Sequence, residues 1–158
     1  MLTSVSTVGG FSGGMDNYLD LAADTDLCVA LARMLLAASR LESDLRTYLL
    51  LNQISARADA TLGTLAKRLR AAKLLSNNGA MVVDTHRRQR NYLTHSLYDL
   101  FAARIDEDLM TRQEFDDISL LTERAWILES NLNGLADIAE RRIAELRAGG
   151  EPGLIFSP

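Results

Sequence analysis

Apart from Pro152 and Pro158 at its C-terminal end, the chain contains no proline. Proline breaks helices by removing a donor and clashing with the preceding turn, so a stretch of this length without one leaves long helices open. The body is also rich in Leu, Ala, Arg and Glu, which lose little freedom in a helix. Apolar residues make up 47% and charged residues 24% of the 158 residues, as in a water-soluble domain with a core of its own. An all-α domain is the expected class.

The apolar spacing divides that domain. "ADTDLCVALARMLLAASRLESDLRTYLLLNQ" carries apolar residues at 27, 31, 35, 38, 45 and 49, the three-and-four spacing of one helix face. It predicts a first helix over 24–54, capped by Asp24, Thr25 or Asp26. "DATLGTLAKRLRAA" predicts a short second helix over 61–74 with Thr61 or Asp59 as its cap. "SNNG" at 76–79 reads as a turn. A third helix is expected over 80–104. "TRQE" at 111–114 has the capping-box pattern and opens a fourth over 111–147, ended by Gly149–Gly150. Its stripe is Leu121, Ala125, Leu128, Leu132, Leu135, Ala139 and Leu146. Three long helices and one short one, joined by short loops, predict an up-and-down bundle over 23–148. Residues 1–22, with four glycines, read as a flexible lead-in from which Phe11, Tyr18, Leu19 and Leu21 can dock. Residues 149–158 read as an irregular tail.

Charge and cysteine usage narrow the function classes. A net charge of −4 opposes a general nucleic-acid coat while leaving room for a local basic site. The single cysteine, Cys28, allows neither an intramolecular disulfide nor a CxxC metal site, and its neighbours Leu27, Val29 and Leu31 suggest a small core residue. No metal site is expected, since the two histidines, His86 and His95, do not form an HxxxH or ExxH pair. P-loop, GxGxxG and GxSxG motifs are absent and no cofactor is expected. With no secretory n-region and no apolar run of membrane length, the expected location is cytoplasmic.

One stretch concentrates chemistry: "QRNYLTHSL", residues 89–97. On a helical wheel Val82, Val83, Leu93, Leu97, Leu100 and Phe101 gather on one side, and Asp84, Arg87, Asn91, His95 and Tyr98 on the other. Asn91 and His95 share a face at i, i+4. Such a face is ordinarily just solvated. His86 falls on the apolar side and reads as a satisfied structural histidine, and Arg87 and Arg88 as charges balancing Asp84 and Asp99. Arg90 is less ordinary, because it sits on the edge of the apolar side. Glu42 lies inside the apolar stripe of the first helix. Two misplaced charges of opposite sign predict a pair, with Glu42 holding the Arg90 guanidinium bidentately.

"RNYLTH" resembles the R-[polar]-x-x-x-H signature of HEPN domains, all-helical dimeric bundles of prokaryotic toxins, defence proteins and RNA-processing enzymes. The likeness extends over residues 25–145: a long first helix with a mid-helix glutamate ("SRLESDL"), a short amphipathic helix ("TLGTL"), then the signature helix. That order is also similar to mannitol operon repressor-like proteins. The resemblance implies a homodimer that cleaves RNA without a metal at a composite interface site. In it His95 is the general acid or base, Arg90 stabilises phosphorane charge, and Asn91 positions the phosphate or the imidazole. Glu42, Arg87 and Tyr98 support them. A toxin of this kind would have a cognate antitoxin or regulatory partner. The toxins paired with a nucleotidyltransferase antitoxin carry tyrosine two residues after the histidine; here Leu97 holds that place and Tyr98 follows it. The resemblance equally admits an inactive regulator working through protein contacts, and a plain structural helical dimer remains a third reading.

Overall fold

A computed structural model describes residues 19–95 and 118–156. Four helices organise them: α1 (Thr25–Leu51), α2 (Leu62–Ala71), α3 (Asn77–His95) and α4 (Ile118–Arg147), with a short helical segment over 19–23 ahead of α1. No β-strand occurs among the described residues, and no described helix is long and apolar enough to cross a membrane. The expected all-α class is therefore met. The TRQE box, Tyr98, Leu97, Asp99, Leu100, Phe101, Phe11 and Tyr18 lie outside the described residues.

The core is built where α1 and α4 pack along each other. From α1 it takes Leu27, Ala30, Met34, Ala37, Ala38, Leu41, Leu45, Tyr48 and Leu49; from α4, Leu121, Ala125, Leu128, Leu132, Leu135, Ala136, Ala139 and Ile143. The expected α4 stripe holds, except that Leu146 is only partly buried and Ile143 takes the next inward place. On α1 the inward face is rotated from the one expected. Leu35 is exposed, Leu31 half-buried, and Cys28 stands on the solvent side rather than in the core. The reason is that the first half of α1 is apolar nearly all round, so more than one face satisfies the three-and-four spacing.

Helix ends explain the other boundary differences. Asp24 caps α1, its Oδ1 accepting from the Leu27 N–H at 2.8 Å. α1 stops at Leu51 rather than at 54 because Gln53 takes φ +61°. The Gln53 N–H then bonds the Leu50 carbonyl and the Ile54 N–H bonds the Leu49 carbonyl. This is the Schellman arrangement, normally closed by glycine. α2 ends the same way at Lys73 (φ +58°), with Lys73 N–H on Arg70 and Leu74 N–H on Leu69. α4 closes a third such motif at Gly149, φ +88°, where glycine was expected. SNNG is not a free turn. The Ser76 Oγ accepts from the Gly79 N–H at 3.0 Å and so caps α3, and Asn77–Gly79 are its first turn.

The C-terminal tail is irregular but structural. Ile155 and Phe156 are buried, the Ile155 N–H bonds the Leu74 carbonyl at 2.9 Å, and the Tyr48 hydroxyl donates to the Gly153 carbonyl at 2.6 Å. The tail thereby clamps the junction between α2 and α3 onto the end of α1. Gly79 makes room for it: a Cβ there would lie 3.3 Å from the Phe156 backbone oxygen and 2.7 Å from a Leu75 methyl. At the other end Leu21 is buried and Leu19 exposed.

Candidate functional site

α2 and α3 form a hairpin with antiparallel arms, short and sparsely apolar. Only Gly79, Val83 and Leu93 are buried on α3, and Val82, expected inside, is exposed. Leu62, Leu65 and Leu69 of α2, with Val83 and Leu93 of α3, join the core and hold the hairpin to the spine, and polar contacts add to that hold. Glu42, half-buried on α1, points at the start of α2, and its Oε1 accepts from the Leu62 N–H at 2.8 Å. Thr61 occupies the N-cap position, but its hydroxyl makes no capping bond and meets Thr64 Oγ1 instead at 3.2 Å. The cap of α2 is thus supplied from another helix. A carboxylate suits that place, because the first N–H groups of a helix lack intrahelical partners and the helix dipole favours negative charge there.

The same Glu42 oxygen receives Arg90 Nη1 at 3.1 Å, with the two side chains 20% and 18% exposed. The pairing expected from the sequence is present, with a different geometry. The guanidinium does not fork onto both carboxylate oxygens. Its Nη2 donates to Asn91 Oδ1 at 3.1 Å, and its buried Nε has no partner among the described residues. The carboxylate oxygen that Arg90 meets is the one that caps α2. Arg90 is nevertheless tethered at two points, one on each amino group.

Beside this tether a cavity of about 550 Å³ opens between α2 and α3. Arg87, Arg90, Asn91 and His95 all line it, facing Thr61, Gly63, Thr64, Lys67 and Arg70 from α2. The polar face read from the helical wheel therefore fronts a groove. His95 is exposed at its mouth, whereas Arg90 is largely covered. Arg87 is fixed by Asp84, with Nη2–Oδ1 at 2.7 Å and Nε–Oδ1 at 2.9 Å. Arg88 approaches the same carboxylate at 3.5 Å, so Asp84 meets both arginines, where Asp84 and Asp99 were expected to share them. Gly63 lets Arg87 cross close over α2, since a Cβ there would stand 3.0 Å from Arg87 Cδ. His86 lies apart from the groove, half-buried, its Nδ1 3.2 Å from Gln89 Oε1.

Sequence reasoning did not find Lys67, Arg70 and Thr64 as members of the groove. The signal was available: Thr61, Thr64, Lys67 and Arg70 recur every three residues along one side of a short amphipathic helix. No group of three or more His, Cys, Asp or Glu side chains suited to a metal ion occurs among the described residues. In chemical terms the groove combines an exposed imidazole, a tethered guanidinium, a side-chain amide and further cations. That set has the donors to hold an anion and a group able to move a proton beside it. No protein-family model, no curated protein and no solved structure matches this chain.

Proposed function

We propose that this chain is a HEPN-type ribonuclease, acting as a homodimer and cutting RNA without a metal. The observation that carries the reading is the convergence of Arg90, Asn91 and His95 on one groove, with the Arg90 guanidinium tethered by Glu42 and Asn91. These are the positions to which the family resemblance assigns the chemistry. In the reaction the 2′-oxygen attacks phosphorus and its proton passes to a base. The P–O5′ bond breaks, and the leaving 5′-oxygen takes a proton from an acid. The products are a 2′,3′-cyclic phosphate and a 5′-hydroxyl. Histidine is suited to either proton transfer near neutral pH, and a homodimer supplies two imidazoles. Arg90 offers donors to the charge that develops on the phosphorane, and holding them in place beforehand saves reorganisation. Asn91 keeps the guanidinium oriented.

A second reading, a regulator that works through protein contacts, is favoured by the outer face of α1. There Val29, Leu35 and Leu36 are exposed on one side of the helix, Leu36 at 70%, and apolar surface of this kind suits a protein partner. Expression of wild type and His95→Ala side by side separates the two. A ribonuclease slows growth and degrades total RNA only with His95 intact. Equal behaviour of the two proteins rejects the enzyme and favours the regulator.

A further inference from the structure

The groove has a second half that the cleavage chemistry does not use. α2 runs antiparallel to α3, so Thr61 and Thr64 stand opposite Arg90 and His95, while Lys67 and Arg70 lie progressively farther along toward Ala80. Arg70 is six residues beyond Thr64, roughly 9 Å of helix rise. Neither the Lys67 nor the Arg70 side chain has an ion-pair or hydrogen-bond partner among the described residues. In that they differ from Arg87 and Arg90, which are both held by carboxylates. The one acid in the lining, Asp84, is already engaged by Arg87 and Arg88. An acidic protein of net charge −4 thus concentrates free positive charge along one wall of one groove. The lining contains no aromatic side chain among the described residues.

Building on the ribonuclease reading, we infer that the α2 wall is a phosphate track. Lys67 and Arg70 bind backbone phosphates of a single strand on one side of the bond presented to Arg90 and His95. Unpaired cations spaced along a wall meet the charge that repeats along a backbone. Stacking on aromatic side chains, which gives many single-strand binders their grip on the bases, is missing from this wall. The groove therefore selects for a flexible polyanion and tolerates any base sequence along this wall.

The test measures binding of a labelled single-stranded RNA 12-mer as a function of salt, in full-length His95→Ala protein so that turnover does not interfere. Each phosphate contact on a single strand contributes about −0.7 to the slope of log K against log salt. Lys67→Gln/Arg70→Gln is expected to flatten the slope by about 1.4 and to weaken binding about tenfold or more at 0.1 M salt. Arg141→Gln/Arg147→Gln removes the same charge from exposed positions of α4 outside the groove lining and is expected to leave binding within about twofold, since distant exposed charges are screened at this salt. Equal slopes for the two pairs overturn the track while leaving the ribonuclease reading intact. RNA held through Lys67 and Arg70 by a wild type that does not cleave it upholds the track and rejects the ribonuclease. Absence of RNA binding by the His95→Ala parent overturns both.

Discussion

The α1–α4 spine and the α2–α3 hairpin share one apolar core but differ in how much of it they supply and in where their charges point. Along the spine, side chains such as Leu41, Leu45 and Leu132 are wholly excluded from solvent, and the buried Glu129 is paired with Arg33, which lies over the Trp126 ring. The hairpin joins that core through a shorter apolar edge, Leu62, Leu65 and Leu69 from α2 with Val83 and Leu93 from α3. Single polar contacts add to this edge: Glu42 on Leu62 and Arg90, Ser76 on Gly79, and the tail's Ile155 on Leu74. Packing of the first kind fixes shape. Fastening of the second kind leaves charged groups at a groove, where they can meet a ligand. In this bundle one helix pair supplies most of the apolar core and the other lines a groove with charge.

The largest expected effect lies on the spine. Leu132→Ala should cost about 3–5 kcal/mol, while Leu93→Ala on α3 should cost nearer 2, because a loosely packed site collapses around the gap. Denaturant titration checks both, and equal losses would break the contrast. Glu42→Ala should follow at about 3 kcal/mol, from stranding Arg90 in partial burial and uncapping α2. Hydrogen exchange sharpens this one. Protection should fall first in α2 and α3, with the spine amides keeping theirs, and uniform loss would show that the two regions are not separable.

Smaller effects sit at the edges. Lys73→Gly should stabilise the protein by about 0.5–1 kcal/mol, by relieving a left-handed residue that carries a Cβ; the rise in melting temperature reports it. Asp44 gives a pH-dependent case. Burial raises its carboxyl above the ordinary range, Arg40 opposes this, and Glu140 and Asp137 add to it. Its Oδ2 is buried without a partner among the described residues. A carboxyl whose folded pKa is raised binds its proton more tightly in the folded state. It therefore weakens stability as pH rises above the unfolded value near 3.8, and has no such effect below it. Asp44→Asn should raise the melting temperature slightly at pH 7, with the gain disappearing near pH 3. A gain independent of pH would remove the burial explanation.

The sequence was most legible where a residue type was out of place. Glu42 in an apolar stripe and Arg90 at an apolar edge pointed to each other across two helices, and the pair is there. The periodicity of α4 was plain because its outer face is polar. That of α1 was ambiguous because leucines and alanines surround its first half, which is why Cys28 and Leu35 were expected inside. The ends of α1 and α2 escaped because their left-handed residues are Gln53 and Lys73, whose composition carries no such signal. The α2 cap escaped because Glu42 belongs to another helix, and the docking of Ile155 and Phe156 because nothing local reveals where a tail lands.

The claim that the hairpin carries the chemistry is tested most directly with purified protein, single-stranded RNA and EDTA, with the product ends identified. Wild type is expected to yield 2′,3′-cyclic phosphate and 5′-hydroxyl ends. His95→Ala is expected to lose about 10²-fold or more, in line with general acid–base help; Arg90→Ala is expected to be comparably impaired, and His86→Ala close to wild type. Cleavage that survives His95→Ala, or that falls equally with His86→Ala, would contradict the account.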